Sequence, residues 1–141
     1  MFLIDTDVLS ALRRGERHPH AVRWLTAQRT SDLYLSVVTV GEIERGIEQQ
    51  RHRDHAFARE LAGWLDRVLG WYGDRVLPVD LATSRRWGRL SAALGHESSD
   101  LLIAATALEH GLTVVTRNER HFEPTAAPVL NPFSDGEEVD G

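Results

Sequence analysis

The stretch Asp100-Leu-Leu-Ile-Ala-Ala-Thr-Ala-Leu-Glu-His-Gly-Leu-Thr-Val-Val-Thr-Arg-Asn118 decides the fold class, because it contains a helix, its end and a strand in succession. Residues 99–110 are apolar almost all round, which is typical of a helix enclosed in a core. Gly111 follows as the residue that ends this helix, as glycine commonly does. The run 112–116 then has the pattern of a short buried strand.

The same alternation of strands and helices runs through the rest of the chain. Further strands are predicted at 2–4, 33–37, 76–79 and 128–130, and helices at 7–13, 20–29, about 40–53, about 54–72 and 80–94. Strands that alternate with helices pair in parallel, because each helix carries the chain back to the start of the next strand. The sequence therefore predicts an α/β layered domain.

Composition limits the classes of protein to which the chain can belong. Its 141 residues suit one domain, predicted at 1–133, followed at 134–141 by an acidic tail expected to be disordered. No apolar run is long enough to span a membrane and no leader precedes Phe2, so we expect a cytoplasmic protein. With no cysteine and no lysine in the chain, disulfides, thiolate zinc sites and mechanisms that need a catalytic lysine are excluded.

The net charge is −5, but four of the acids lie in the predicted tail. The remainder carries 17 acidic residues against 16 arginines. Overall charge therefore neither supports nor excludes a nucleic-acid substrate.

Three carboxylates are predicted along one edge of the sheet. Asp5 follows the first strand, Glu42 lies a few residues past the second, and Asp100 opens the apolar helix. In an open parallel sheet the carboxyl ends of the strands share one edge, so these acids are expected to meet. A cluster of carboxylates is stable only around a cation, and acids alone favour Mg²⁺, or Mn²⁺ in its place, over Zn²⁺. The pattern indicates a metal site for phosphodiester chemistry, in which a water molecule is activated as the nucleophile.

Each acid also has a purely structural interpretation. Asp5 or Asp7 would cap the first helix, and Thr39 with Glu42 matches the capping-box pattern. Asp100 would complement the dipole of its helix from the first turn. The two interpretations are compatible, because a carboxylate held by helix N–H groups stays ionised, as a metal ligand must.

Two polar residues follow the strand 112–116 on the same predicted edge. The Thr116 hydroxyl and the Asn118 amide are within reach of the waters of a metal ion, or of a phosphate, if this edge is the site. The alternative is an ordinary turn, which asparagine favours on chemistry alone. Both interpretations stay open from the residues by themselves.

These motifs resemble those of a known family. The opening Ile4-Asp-Thr-Asp-Val-Leu9, the step Glu42-Ile-Glu-Arg-Gly46 and the block Asp100–Asn118 are similar to the PIN-domain ribonucleases. More closely, they resemble the toxin component of virulence-associated (Vap-type) toxin–antitoxin pairs, including the FitB-like branch. The resemblance spans about residues 2–133.

The resemblance implies a PIN-like three-layer domain, with a twisted parallel sheet of about five strands between layers of helices. It also implies Mg²⁺-dependent endoribonuclease activity on RNA, dimerisation, and inhibition by a small antitoxin protein. Carried over by position, Asp5, Glu42 and Asp100 would be the acidic metal-site residues, with Thr116 and Asn118 supporting them. Many members have a fourth acid where this chain has His121, so either His121 ligates the metal or the site has three acids and binds a second ion weakly.

Two expectations concern partners. The toxin resemblance, taken with a negative site, predicts that the antitoxin inserts a basic residue into the active site and lays apolar side chains along helices 20–29 and 40–72. The second expectation is that some of the large aromatic residues lie at a subunit or partner interface, because their combined surface is more than one small core can bury. These residues are Trp64, Trp71, Tyr72 and Trp87.

Two other functions remain as alternatives. A metal-dependent phosphatase is suggested by Asp5-Thr-Asp7, but Val8 and Leu9 follow where that chemistry needs a small turn, and the usual downstream lysine is missing. A non-catalytic binding module with the same fold would have no reason to keep three clustered acids. An assay with and without Mg²⁺ separates the leading interpretation from this module.

Overall fold

Strands and helices alternate along residues 1–133, the part of the chain that the computed structural model describes. The strands are Phe2–Ile4 (β1), Leu33–Ser36 (β2), Val76–Leu77 (β3), Thr113–Val115 (β4) and Val129–Leu130 (β5). The α-helices of this region are Thr6–Leu12 (α1), Pro19–Ala27 (α2), Val37–Arg51 (α3), His55–Tyr72 (α4), Leu81–Leu94 (α5), Ser99–His110 (α6) and Glu119–Phe122 (α7). The five predicted strands are confirmed within two residues at each end. The predicted tail, 134–141, lies outside the described residues.

The strands form one parallel sheet in the order β3-β2-β1-β4-β5. In the pairing of β1 with its two neighbours, Phe2 stands opposite Leu33 on one side and Thr113 on the other. The chain therefore builds outward from β1 to β3, then returns to the other side of β1 for β4 and β5. Open parallel sheets carry their sites where the direction of winding changes, here between β1 and β4.

Successive residues of the central strands point to opposite faces of the sheet, and each face has its own core. Ile4 and Val115 pack with α1, α3 and α4, whereas Leu3 and Val114 pack with α6 and α7. Helix α5 covers α6 from outside. Because α6 lies between the sheet and α5, most of its side chains are buried, which explains its apolar sequence and confirms the enclosed helix. Gly111 ends α6 in the left-handed conformation, at φ 65°.

Two predictions about helices are corrected. Helix α3 begins at Val37 rather than near residue 40, because the Ser36 hydroxyl caps it by accepting a hydrogen bond of 3.0 Å from the Val38 amide. Thr39 and Glu42 therefore lie inside the helix, and the capping-box interpretation is wrong. Helix α7 was not predicted, since four residues are too few to show a helical period. No helix within residues 1–133 is both long and apolar enough to cross a membrane.

Candidate active site

The sheet places Asp5 and Thr116 side by side, each one residue past the end of its strand. The Asp5 amide donates to the carbonyl of Val115 at 2.9 Å, and the Thr116 amide donates to that of Leu130 at 3.0 Å. Both side chains are buried, and the Thr116 hydroxyl donates to Asp5 Oδ2 at 2.8 Å. The parallel register of β1 with β4 therefore creates this contact between residues 111 positions apart in sequence.

Asp5 is also the cap of α1. Its Oδ1 accepts a hydrogen bond of 2.8 Å from the Thr6 amide. The structural interpretation of Asp5 is thus confirmed. It leaves the chemical one standing, because each carboxylate oxygen accepts one hydrogen bond here and retains a second lone pair.

Glu42 joins three helices at the same edge. Its Oε1 accepts from the Thr6 hydroxyl on α1 at 2.7 Å, and its Oε2 accepts from the Ser99 hydroxyl on α6 at 3.2 Å. The Thr39 hydroxyl supports this arrangement 3.0 Å from that of Thr6. Thr6 and Ser99, the neighbours of Asp5 and Asp100 in the chain, therefore hold Glu42 in place. The sequence did not indicate this role for either residue.

Asp100 lies in the first turn of α6 and contacts His121. The Ser98 hydroxyl caps the helix by accepting from the Asp100 amide at 3.3 Å. His121 Nδ1 lies 2.9 Å from Asp100 Oδ2. His121, which stands where the resemblance implies a fourth acid, therefore contacts a predicted metal ligand directly.

Asp7 is a fourth carboxylate at this edge. From the sequence it is interpreted as a cap, or as part of a phosphatase-like motif, and it is not among the predicted metal ligands. Its Oδ2 accepts from the Arg117 amide at 3.1 Å and from Asn118 Nδ2 at 3.2 Å. Its Oδ1 is buried without a hydrogen-bond partner among the described residues. Asn118 thus supports Asp7, and its own amide donates to the Thr116 hydroxyl at 3.0 Å. The sequence feature that could have indicated Asp7 as a site residue is its position two residues after Asp5, in the first turn of α1.

Burial and like charges make the ionised form of Asp5 unfavourable. Burial, followed by the charge of Asp7, raises the pKa of Asp5 to about 8, while the hydrogen bonds from Thr116 and Thr6 oppose the rise. Asp100 adds a smaller repulsion, so it lies near enough for its charge to act on Asp5. Burial raises the pKa of Asp7 as well, against the hydrogen bond from the Arg117 amide. A cation at this point would relieve the repulsion.

The donor set suits a hard divalent cation. Every nearby acid offers oxygen, and the buried Oδ1 of Asp7 has a lone pair for which the described residues supply no donor. Within residues 1–133, no three acidic, histidine or cysteine side chains are close enough to hold one metal ion by themselves. The assignment of Asp5, Glu42 and Asp100 as ligands of one ion therefore stays a prediction. Binding of Mg²⁺ by one or two carboxylates, with water at the remaining positions, is the arrangement that this spacing leaves.

Comparisons with known proteins identify the family and the fold of the chain. The PIN domain family matches residues 2–127. The VapC ribonuclease Y4jK of Sinorhizobium fredii is 35% identical over 94% of this chain and 98% of its own. Toxin FitB of Neisseria gonorrhoeae is 31% identical over 96% of this chain and all of its own. The crystal structure of FitAcB from Neisseria gonorrhoeae superposes with a TM-score of 0.83 at 31% identity, over 94% of this chain and 98% of that one. The chain therefore belongs to the PIN-domain family, in the branch that contains the VapC ribonucleases and the FitB toxin.

Proposed function

We propose that the protein is the toxin of a toxin–antitoxin pair and acts as a Mg²⁺-dependent endoribonuclease. The observation that supports this most directly is the cluster of Asp5, Asp7, Glu42 and Asp100 at the carboxyl end of the parallel sheet. Asp7 and Asp100 repel Asp5. Hydroxyl groups hold Asp5 and Glu42 in place. Burial of Asp5 and Asp7 beside each other makes their ionised forms unfavourable, a cost that capping of α1 does not require. The names of the VapC and FitB relatives support the same class of activity.

The residues take distinct roles in hydrolysis of an RNA phosphodiester. Asp5 and Asp100 would hold Mg²⁺, beside Asp7. When bound, this ion supplies charge neutralisation at the phosphate and acidifies a water molecule. The Thr116 hydroxyl keeps Asp5 oriented. Glu42 would accept the proton of the attacking water, since each of its oxygens accepts one hydrogen bond and keeps a lone pair. As the water oxygen bonds to phosphorus, the P–O bond to the leaving ribose oxygen breaks, and that oxygen takes a proton from solvent.

Replacement of Asp100 by asparagine tests the proposal. Asp100→Asn keeps the size of the side chain and removes its charge, so RNA cleavage and Mg²⁺ binding should both be lost while the fold is retained. Cleavage is measured on a labelled RNA pool with Mg²⁺, with Mn²⁺ and with a chelator, and Mg²⁺ binding by calorimetry. Asp66→Asn, an exposed acid on α4, is the matched control. Wild-type protein that cleaves no RNA under any condition would favour the non-catalytic binding module.

The antitoxin is proposed to bind an apolar groove between α1, α2 and α4. The groove has a volume of about 430 Å³, and Leu12, Leu25 and Val68 lie in its wall. Trp71, at its edge, is 65% exposed, which is unusual for so large an apolar side chain. A short amphipathic segment fits such a surface, and its basic end would pair with the acids of the active site.

A substitution at Trp71 separates this role from catalysis. Trp71→Ala should weaken the complex with the small protein encoded beside the toxin by about tenfold or more, as aromatic anchors do. It should leave cleavage by the free toxin unchanged, because Trp71 contacts none of the acids. Leu81→Ala, also exposed but on α5, is the control. A complex with the partner that remains fully active on RNA would contradict the proposal that the antitoxin blocks the active site with a basic residue.

A further inference from the structure

A cavity of about 550 Å³ opens beside the acidic cluster, between α1, α3 and α4. Asp7 and Glu42 form one end of it. Arg13 and Arg14, just past the end of α1, and Phe57 on α4 line other parts of its wall. Its volume lies within the range of roughly 300–1,000 Å³ found for sites that enclose small ligands.

The cavity concentrates positive charge in a chain that is negative overall. Arg13, Arg14 and Arg117 line it, against the two carboxylates Asp7 and Glu42. A cation at the acidic cluster would neutralise the carboxylates, so that the remaining formal charge of the lining is that of its arginines. Of these, Arg117 stacks on Phe133, with its guanidinium 3.9 Å from the centroid of the ring. Guanidinium binds phosphate with a planar pair of donors, so the charge pattern favours a phosphate-bearing ligand.

Phe57 supplies an aromatic face that the core does not need. Its neighbours Leu61 and Trp64 pack against the core formed by α1, α3, α4 and the sheet, but Phe57 is absent from that core. The guanidinium of Arg13 lies 5.2 Å from the centroid of its ring. An aromatic ring beside an arginine is the combination that binds the base and the phosphate of single-stranded nucleic acid.

We propose that this cavity binds the nucleotide next to the scissile phosphate of an RNA strand, with its base on Phe57 and its phosphate on Arg13 and Arg14. The inference rests on the ribonuclease function proposed above and adds to it a binding site for the flanking nucleotide. Because the cavity begins at Asp7 and Glu42, a strand whose phosphate reaches the acidic cluster continues directly into it.

Gly46 provides a way to fill the cavity without touching the acids. It lies on α3 in the wall of the cavity, and a Cβ added there meets no atom within 4 Å. Gly46→Leu therefore occupies the space of the nucleotide, and leucine in place of a helical glycine does not destabilise α3. Gly88→Leu is the matched control, because Gly88 is equally open and lies on α5, which does not line the cavity.

Binding is measured by fluorescence anisotropy of a labelled single-stranded RNA octamer of mixed sequence, with the acidic cluster intact and with Ca²⁺, which also takes oxygen ligands, in place of Mg²⁺. A gel run after each titration verifies that the RNA is still intact. Gly46→Leu and Phe57→Leu should each raise Kd about tenfold, which corresponds to the loss of one stacked base. Arg14→Gln should reduce the slope of log Kd against log salt by about 0.7, the loss of one phosphate contact. Gly88→Leu should change neither quantity.

The contrary outcomes are distinct from failure of the ribonuclease function. An unchanged Kd for folded Gly46→Leu, with cleavage by the wild type intact, overturns the nucleotide site and leaves the proposed function standing. A Gly46→Leu protein that loses affinity for the antitoxin but keeps its affinity for RNA would also overturn the nucleotide site, because the cavity would then bind the antitoxin. A wild-type protein that neither binds nor cleaves RNA defeats both proposals.

Discussion

Asp5 combines two roles that oppose each other energetically. It caps α1 through its Oδ1, which stabilises the fold, yet it does so from a site that is only 4% exposed and close to Asp7. The cost of that position appears in the pKa of its carboxyl group, which burial raises to about 8. Each unit of such a shift corresponds to about 1.4 kcal/mol between the two protonation states. Asp5 therefore lowers the free energy of unfolding of the metal-free protein, and a bound cation would reduce this effect.

Asp5→Asn should make the metal-free protein more stable at pH 7 while abolishing RNA cleavage. The amide keeps the shape and the cap acceptor. At pH 7 the wild-type carboxyl group must take up a proton when the chain folds, because its folded pKa is about 8, whereas the amide need not. The free energy of unfolding of the variant should therefore exceed that of the wild type. Urea unfolding in chelator measures this. A decrease of about 0.5–2 kcal/mol with cleavage retained would instead mean that Asp5 is only a cap.

The stability of the metal-free protein should depend on pH through Asp5. Between its ordinary pKa of 3.8 and its folded pKa of about 8, the folded state binds more protons than the unfolded state. The free energy of unfolding should therefore fall as the pH rises from about 4 to 8. The same measurements on Asp5→Asn should show a shallower fall, and saturating Mg²⁺ should flatten the wild-type profile. Equal slopes for both proteins would contradict the assignment.

At the scale of elements, the turn after β4 is tied to α1 by side chains. Asp7 on α1 accepts hydrogen bonds from the Arg117 amide and the Asn118 side chain. The Thr116 hydroxyl donates to Asp5 and accepts from the Asn118 amide. Strand end, helix start and turn are therefore one hydrogen-bonded unit, which holds two carboxylates in place while they repel each other.

Thr116→Val tests this unit. Removal of the hydroxyl leaves Asp5 Oδ2 without its donor and the Asn118 amide without its acceptor, so we expect a loss of about 1–3 kcal/mol in the free energy of unfolding. Cleavage should also fall, because Asp5 loses its orientation. Thr116→Ser retains the hydroxyl and should restore most of both. If valine and serine behave alike, the hydroxyl does not support the site.

At the scale of the molecule, α3 and α5 each begin with an exposed apolar residue. Leu81 is 78% exposed and Val37 is 40% exposed. Trp71 is also exposed. The proposal above places Trp71 at the interface with the antitoxin and not between two copies of the toxin. Leu81 and Val37 do not line the groove that contains Trp71, and we propose that they take part in the predicted homodimer.

Light scattering on the free toxin should therefore give the mass of a dimer at micromolar concentrations. Leu81→Glu puts a charge into the proposed interface and should shift the mass towards that of a single chain. Trp71→Glu, on the groove, should leave the mass unchanged. A strict monomer for the wild type over the same range would count against dimerisation.

The sequence by itself determined the elements and the chemistry of the predicted ligands. Period and composition located β1 to β5 and the first six helices, because strands and helices each impose a repeat on their apolar residues. The acids 5, 42 and 100 were identifiable since each follows a predicted strand or opens a predicted helix. Their assignment as metal ligands stays a prediction.

Only the tertiary structure decided which side chains meet. Asp7 and Thr6 are adjacent in sequence, yet one turns to Asn118 and the other to Glu42. Ser99 and His121 joined the site through contacts 57 and 21 residues apart in the chain. Such partners depend on the register of β1 with β4 and on how α3 and α6 lie beside α1. Local patterns do not contain those distances, because they arise from the packing of the two cores on either side of the sheet.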